Sequence, residues 1–488
     1  MAVLSIKKLL KEMMMKTKVV LGCILIVISC TKLYAQNNTK LTLQACLDMA
    51  LANNIPVKQN ELEEQVAKVN YNQAKFNRLP NIAADLNYGI NSGRSIDPFT
   101  NGYVNQKLSS SNAGISASVP VFKGFQTKNT IQQTSLTYQA SSMELQQEKD
   151  NLTLNVILSF LQMMNDEDVL ALTKKQIAVT EKQVERLDIL NKEGAIAPAV
   201  FFDMKGQYAT DHLAVLNATR SLEMSKLSLA QFMNIPYSKD MQIDREGFNM
   251  TMKLYEGTPD NINATALQKL AMVKAADLRT KAATKSIRVA AAGFYPTLSL
   301  FGQLGTNYSS AARNSTVVSI TDVATSDYVI VSGNNTPVIT KQTNYNTRKI
   351  NYFNQFNNNL NTYVGVSLQV PIFSSFQTKT NVRLARLEEK RNTYIAENTR
   401  IQLRQAIEQA FLNMNTAWGK FQILGEQVTA FEESFRGAEI RFNLGALNSI
   451  EYLIVKNNLD RATINLTIAR YEYLLRTKVL DFYQGNLK

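Results

Sequence analysis

The hydrophobic pattern of this chain switches between two periods, and it does so twice. Over residues 42–78, Leu43, Leu47, Ala50, Leu51 and Asn54 step by three and four, the spacing of one helix face. Pro80 predicts the end of that helix and the start of a strand. There Ile82, Ala84, Leu86, Tyr88 and Ile90 alternate with Ala83, Asp85, Asn87 and Gly89. Residues 91–109 read as loop, rich in Asn, Ser and Gly. A second strand follows, with Ala113, Ile115, Ala117, Val119 and Val121 on one face and Gly114, Ser116 and Ser118 on the other. A strict period of two means that the two faces meet different surroundings. A long helix comes next, over 124–191, in which Met163, Leu170, Ile177 and Val184 recur every seven residues. A shorter one, 198–233, completes the unit.

The same order then returns. Residues 262–291 are helical, and Tyr295-Pro296 echoes Leu79-Pro80. Leu298, Leu300 and Leu304 alternate with Ser299 and Gln303, and Val364, Val366, Leu368, Val370 and Ile372 with Gly365, Ser367 and Gln369. The second long helix, 375–443, carries Val428, Phe431, Phe435, Ala438 and Phe442 at the alternating three-four spacing of a coiled-coil seam. A shorter helix, 449–484, follows. Val119-Pro120-Val121-Phe122 recurs as Val370-Pro371-Ile372-Phe373 at an offset of 251, which also carries Gly194-Ala195-Ile196 onto Gly445-Ala446-Leu447. One offset held over that distance marks a duplicated unit. The two prolines of the strand pair are 40 residues apart in the first copy and 75 in the second, so the second holds a 35-residue insertion. The connection it enlarges, roughly 307–361, is Asn-rich and lacks helical periodicity; it reads as a loop, and one so long is usually functional or mobile.

The resulting organisation is a leader over 1–35, a first repeat over 36–236, a linker over 237–261 and a second repeat over 262–488. The fold class is mainly α with a small β part. Each long helix spans ~100 Å at 1.5 Å per residue. Two shorter helices match that length if 42–78 and 198–233 stack end to end beside 124–191. Two strands per copy make four in total, too few to close a barrel, and bacterial outer-membrane barrels use even counts from 8 upward. Strands of this chain that span a membrane must therefore be completed by other chains.

Composition sharpens this picture. Charged residues are 19% of the chain, below the ~25% of an ordinary soluble protein. The net charge is +13, and the leader supplies +5 of it through Lys7, Lys8, Lys11, Lys16, Lys18 and Lys32 against Glu12. The remaining lysines are scattered, which argues against nucleic acid. Lys16 and Lys18, the apolar run Val19–Ile28 and Leu33-Tyr34-Ala35 before Gln36 form a secretory signal, with Met13, Met14 or Met15 as the start of translation. Val27-Ile28-Ser29-Cys30 offers a rival lipoprotein site. Cys23 and Cys30 leave with the leader, so Cys46 stands alone, without a disulfide partner, as a small buried side chain. No later stretch is apolar enough for a transmembrane helix.

No enzymatic constellation is present. The one histidine, His212, excludes paired-histidine metal motifs and lies on a polar helix flank, where a solvated residue is the expected reading. Asp166-Glu167-Asp168 are adjacent on a helix, cannot converge on one cation and read as a solvated face. There is no phosphate-cradling glycine loop. The chain is expected to need no cofactor or metal and to be no enzyme.

The ordered set of leader, Leu41-Thr42-Leu43-Gln44-Ala45-Cys46-Leu47-Asp48-Met49-Ala50-Leu51-Ala52-Asn53-Asn54, duplicated Pro-strand-loop-strand-Val-Pro-[Val/Ile]-Phe, Gly-Ala-[Ile/Leu] tips and paired long helices resembles the TolC family of outer-membrane efflux and secretion channels. The resemblance covers nearly the whole chain after the leader. It implies a homotrimer with a 12-stranded barrel in outer-membrane lipid, continued by a helical tunnel in the periplasm. It implies a passive exit duct for small molecules or polypeptides, working with a periplasmic adaptor protein and an inner-membrane transporter. By the same resemblance the adaptor meets the tips Gly194, Ala195, Ile196, Gly445, Ala446 and Leu447. Acidic side chains that close the periplasmic end of such channels fall on Glu451, six residues past Gly445, with Asp203, nine past Gly194, as its companion. Glu451 reads equally as an acid in the first turn of a helix, favoured there by the helix dipole. Where some relatives place a tyrosine and an arginine in a cross-helix latch, this chain has Phe442 and Leu447. A peripheral coiled-coil scaffold without a pore is the alternative reading of the long helices.

Overall fold

The computed structural model of the chain describes residues 40–96, 101–105, 107–245 and 252–486. The leader, with Met13–Met15, Cys23 and Cys30, lies outside the described residues. The described elements are helices α1 (Leu43–Asn53) and α2 (Ile55–Phe76), strands β1 (Asn81–Asn91), β2 (Arg94–Ile96), β3 (Tyr103–Asn105) and β4 (Leu108–Lys123), then helices α3 (Gln126–Lys192) and α4 (Pro198–Met233). The second half continues with α5 (Pro259–Lys269), α6 (Ala271–Ala291), a single 3-10 turn at Ala292–Phe294, and β5 (Thr297–Ser309). It ends with β6 (Arg313–Val331), β7 (Asn334–Lys349), α7 (Tyr352–Asn358), β8 (Asn361–Gln369), α8 (Gln377–Asn443) and α9 (Ser449–Tyr483). The two long helices are 67 residues each. The chain forms two compact units. One holds the described residues of Met1–Lys58, Glu148–Ala266 and Arg404–Lys488, the other Gln59–Gln147 and Leu267–Leu403.

In the second unit the four long strands form one antiparallel sheet in the order β1-β4-β5-β8. The strand pattern of each repeat is realised there, but the connections between strands are not plain loops. In the first repeat β2 and β3 pair as a short ribbon, and β4 begins at Leu108, inside the stretch read as loop. In the second the insertion folds into the β6–β7 hairpin, 19 and 16 residues long, followed by the short helix α7. Its turn sets Ser332 (φ 51°) and Gly333 (φ 87°) in the left-handed region, as a two-residue hairpin turn demands. The Asn and Thr residues that mask this strand pattern lie exposed along the ribbon, so alternation of burial never had to be written into it. Gln355 of α7 fastens the hairpin base. Its amide donates to the Ser309 carbonyl at 3.0 Å and the Ile350 carbonyl at 2.8 Å, and accepts from Ser309 N at 2.9 Å. Around the helices of this unit, Arg279 pairs with Glu144 at 2.7 Å and Arg400 with Asp277.

The helices read as 42–78 and 262–291 are each broken once, at Asn54 and at Leu270, both extended with ψ near 130°. These positions are 216 apart, the offset between Pro80 and Pro296, so the break belongs to the repeat. At the first, Pro56 lacks an N–H to continue the ladder, and the Asn54 side chain restarts it by accepting from Val57 N at 3.2 Å.

The first unit is a helical core. Phe160, Leu161, Met163, Met164 and Leu170 of α3 are buried, as are Cys46 and Ala50 of α1. The seam residues Val428 and Ala438 of α8 are buried and Phe431, Phe435 and Phe442 half-buried, which places the expected coiled-coil stripe inward. Burial pushes the Cys46 thiol up to about 11. Where α4 ends, the Asn234 amide donates to the Asn53 carbonyl at 3.3 Å, joining the ends of α4 and α1. Asp166-Glu167-Asp168 are not a solvated face. Asp166 is buried, which raises its pKa; Arg245 from the linker reaches Glu167 at 2.8 Å and Asp168 at 2.6 Å, and Tyr471 donates to Asp168 at 2.6 Å. The sequence hides this because Arg245 is 77 residues away. His212 is exposed, its ring against Tyr208.

Candidate functional site

Two places in the fold carry features that folding alone does not require. The first is the outer face of the four-stranded sheet. Direct pairing sets Ile82 opposite Ala117, Leu86 opposite Ala113, Ile115 opposite Leu304, Val119 opposite Leu300, and Leu300 opposite Val366, with Leu298 opposite Leu368. Paired residues share a face. That face is therefore a continuous apolar band, and it is bare: Leu86 is 71% exposed, Val364 71% and Leu368 65%. The opposite face pairs Asp85 with Gly114, Asn87 with Asn112, and Ser116 with Gln303. A soluble protein buries its apolar sheet face and shows water the polar one, and bare patches of this size mark a contact with something apolar. Among the described residues, both outer strands, β1 and β8, also leave one edge without a strand partner.

The second place is the pair of helical tips in the other unit. Each is a turn closed in the same way. Ala195 N donates to the Leu190 carbonyl and Ala446 N to the Arg441 carbonyl, both at 2.8 Å; Gly194 N donates to Asn191 and Gly445 N to Phe442, both at 3.1 Å. This double bond pattern is the Schellman cap, which needs a left-handed residue, and Gly194 (φ 72°) and Gly445 (φ 76°) supply it. Gly194, Ala195, Gly445 and Ala446 are exposed. Ile196 and Leu447 are instead drawn inward, onto an apolar cluster of Leu187, Met204 and Tyr452. Only the Gly-Ala half of each tip is thus exposed.

Tyr452 is the centre of that cluster. It is fully buried, stacked on Phe442, and its hydroxyl has no hydrogen-bond partner. Burial, helped by Glu439 and Asp460, pushes its pKa up to about 12. Phe442 and Leu447 both pack against this cluster. Polar links between the two hairpins flank it. Arg186 of α3 binds the Asn443 side chain of α8, and Ser449 Oγ of α9 donates to Asp203 of α4 at 2.8 Å. Farther along the same two helices, Asn457 donates to Gln207 at 3.0 Å, and Lys456 reaches Asp211 at 3.3 Å and Asp460 at 2.5 Å. Asp211 also accepts from Thr180 at 2.5 Å. Burial raises the pKa of Asp460 against the pull of Lys456, with Asp211 adding to the rise. Lys456 and its two carboxylates were not among the expected site residues. The available signal was the spacing of Asp203, Gln207 and Asp211, which step by four along one helix face.

Glu451 lies exposed in the first turn of α9. Asn448, the N-cap, accepts from Glu451 N at 2.8 Å and donates to its carboxylate at 3.0 Å. Asp203 is also exposed, in the first turns of α4. Among the described residues no cluster of His, Cys, Asp and Glu could hold a metal ion. Among them, too, no helix is long and apolar enough to cross a membrane.

These features coincide with a known family. The family model for outer membrane efflux proteins matches residues 46–234 and 264–486. The chain is 20% identical to the outer membrane protein TolC of Escherichia coli (strain K12) over 444 residues, 90% of this chain and 81% of that protein. It is 20% identical to the outer membrane efflux protein BepC of Brucella suis over 459 residues, 93% of this chain and 88% of that protein. The crystal structure of the Campylobacter jejuni CmeC outer membrane channel superposes with a TM-score of 0.72 at 16% identity, covering 91% of this chain and 85% of that one. This chain therefore belongs to the outer membrane efflux protein family: it is an outer-membrane transport component with its helical part in the periplasm, not an enzyme.

Proposed function

We propose that this chain is the exit duct of a tripartite efflux pump or a type I secretion system. It passes small molecules or polypeptides without driving them, and the energy comes from an inner-membrane transporter joined to it through a periplasmic adaptor. The observation that carries this reading is the bare apolar face of the β1-β4-β5-β8 sheet together with its two open edges. In hydrocarbon an apolar face is at no disadvantage, whereas each unpaired backbone group costs several kcal/mol, so the edges must be closed. Three chains contribute 12 strands, and the duct is a homotrimer. Glu451 and Asp203 line its periplasmic constriction, and the exposed Gly194-Ala195 and Gly445-Ala446 tips receive the adaptor.

The test is conductance. The purified protein, reconstituted in planar bilayers, should give discrete channel openings, and its native mass should be that of three chains. Folded oligomers that never conduct would instead favour a coiled-coil scaffold without a pore.

A further inference from the structure

The insertion of the second repeat sets a helix on the apolar face of the sheet. Tyr308 pairs with Ser111 and Thr306 with Ala113, in step with Leu304 and Ile115, so all of them share that face. Three of these residues hold α7. The Tyr308 ring lies 4.7 Å from that of Tyr352, Thr306 Oγ1 donates to the Phe356 carbonyl at 2.7 Å, and Ser111 Oγ and the Tyr352 hydroxyl share a hydrogen bond of 3.1 Å. Ser111 is buried under this contact. α7 therefore sits at the end of the apolar band away from the long helices. Its Tyr352 and Phe356 rings stack 4.5 Å apart and are half-buried, while Phe353 is 77% exposed and Leu360, just after the helix, 57%. A helix that only capped a sheet end in water would turn such residues inward.

Cations gather beside α7. Arg313 and Lys349 are directly opposite one another at the base of the β6–β7 hairpin, and Arg348 faces Asn314 on the next rung. Like charges directly opposite destabilise a strand pair. All three cations are exposed, and among the described residues none has a carboxylate partner. Acids are scarce in this part of the chain: between Leu298 and Arg386 the sequence has only Asp322 and Asp327. Asp322 faces Lys341, nine residues and roughly 30 Å beyond Arg313. The hairpin thus matches charge with charge farther out and leaves its base positive. Two residues separate Lys349 from Tyr352, a reach of about 10 Å at most. The Ile350 N–H fixes the strand ends there by donating to the Ala312 carbonyl at 3.2 Å.

We propose that Arg313 and Lys349 bind the phosphate headgroup of an anionic lipid in the outer leaflet, whose acyl chains lie along Phe353 and the apolar strands. The inference rests on the reading of the sheet as membrane-spanning. With the helical part in the periplasm, the end of the sheet that carries α7 faces the cell exterior. Tyrosine is favoured where hydrocarbon meets headgroups, since its ring suits the first and its hydroxyl the second. Phosphates come at the next level out, where Arg313 and Lys349 stand. Arginine offers a phosphate two parallel donors, and lysine a point charge. An anion between them also removes the repulsion that the Arg313–Lys349 rung carries. A soluble phosphate would satisfy the cations and leave Phe353 and Leu360 in water; a neutral lipid would do the reverse. A lipid with a negative headgroup meets both needs.

The probe is diphosphoryl lipid A, titrated into the full chain reconstituted in phosphatidylcholine nanodiscs. Lipid retained after release into detergent is counted by native mass spectrometry. Wild type should retain diphosphoryl lipid A well above its dephosphorylated form. Arg313→Gln with Lys349→Gln should weaken retention roughly thirty-fold, a factor of about five for each cation. Lys341→Gln, farther out beside Asp322 and beyond a Debye length, should leave it unchanged. The comparison of the two lipids needs no variant, so a folding defect in the double variant leaves the test intact. Equal retention of both lipids by wild type overturns the proposal, as does a folded double variant that retains lipid A like wild type. Inorganic pyrophosphate bound as tightly as lipid A would make the site one for a soluble anion and overturn the lipid. Protein that never enters the nanodisc overturns the membrane-spanning sheet itself, whereas inserted protein that treats the two lipids alike overturns this inference alone.

Discussion

The Phe442 ring lies on the Tyr452 ring, with centroids 4.4 Å apart and planes 14° from parallel. The stack ties the end of α8 to the first turn of α9, beneath the second tip. The phenol contributes packing area but no hydrogen bond, because its hydroxyl is buried and unpartnered. Tyr452→Phe should therefore be neutral or stabilising by up to about 1 kcal/mol, whereas Tyr452→Ala should cost about 3–5 kcal/mol. The raised pKa sets a sign for alkali. The folded state holds the proton to about 12, and an unfolded tyrosine loses it near 10. Stability from this group is intact below pH ~10 and is lost as pH rises towards 12. Thermal melts of wild type and Tyr452→Phe should diverge only in that window, with the wild type falling faster.

Lys456 between Asp211 and Asp460 is a buried cation whose removal strands two carboxylates. Lys456→Met should destabilise the helical unit by about 3–5 kcal/mol. Adding Asp211→Asn and Asp460→Asn should recover much of that loss, because no buried charge is then left unpaired. Denaturant titrations of the single and triple variants measure the coupling; equal losses in both would show that the stranded carboxylates are not what destabilises the single variant.

The glycines at the tips and at the strand turn should respond differently to the same substitution. At Gly194 and Gly445 a methyl group meets nothing within 4 Å. Alanine there pays only for the left-handed backbone, about 1–2 kcal/mol. At Gly124 it also strikes Tyr295 and the Ala292 carbonyl. Gly124→Ala should thus lower the yield of assembled protein far more than Gly194→Ala, as read on semi-native gels.

If Glu451 lines the duct, three copies converge on the axis, and like charges in a narrow lumen favour cations. Glu451→Gln should weaken cation selectivity and block by multivalent cations in planar bilayers, with assembly unchanged. Unaltered reversal potentials would leave Glu451 as the partner of Asn448 at the helix start and nothing more.

Replacing Ala195 and Ala446 together by Trp adds bulk where the tips are exposed and the cap bonds are backbone only. Trimers should still form while adaptor capture and export fail. Normal export would place the adaptor elsewhere.

Much of this protein could be read from the sequence alone. The duplication, the long helices with their buried seams, the strand alternation and the glycine caps are all local or periodic. They depend on which residues are apolar at which spacing and on where the backbone must turn left-handed. The same periodicity could not say which surroundings a face meets. The apolar face of β1 reads identically whether it is buried or bare, and only the register across four strands shows one continuous exposed band. Periodicity also failed where no face is buried, as in the β6–β7 hairpin, whose Thr- and Asn-rich strands need no alternation because both sides are open. Long-range polar contacts were decided by the tertiary structure as well. Arg245 on Asp168, Lys456 on Asp211 and Asp203 on Ser449 join residues 77 to 246 positions apart, and a charged side chain carries no mark of its partner until folding brings the two together and removes the water between them.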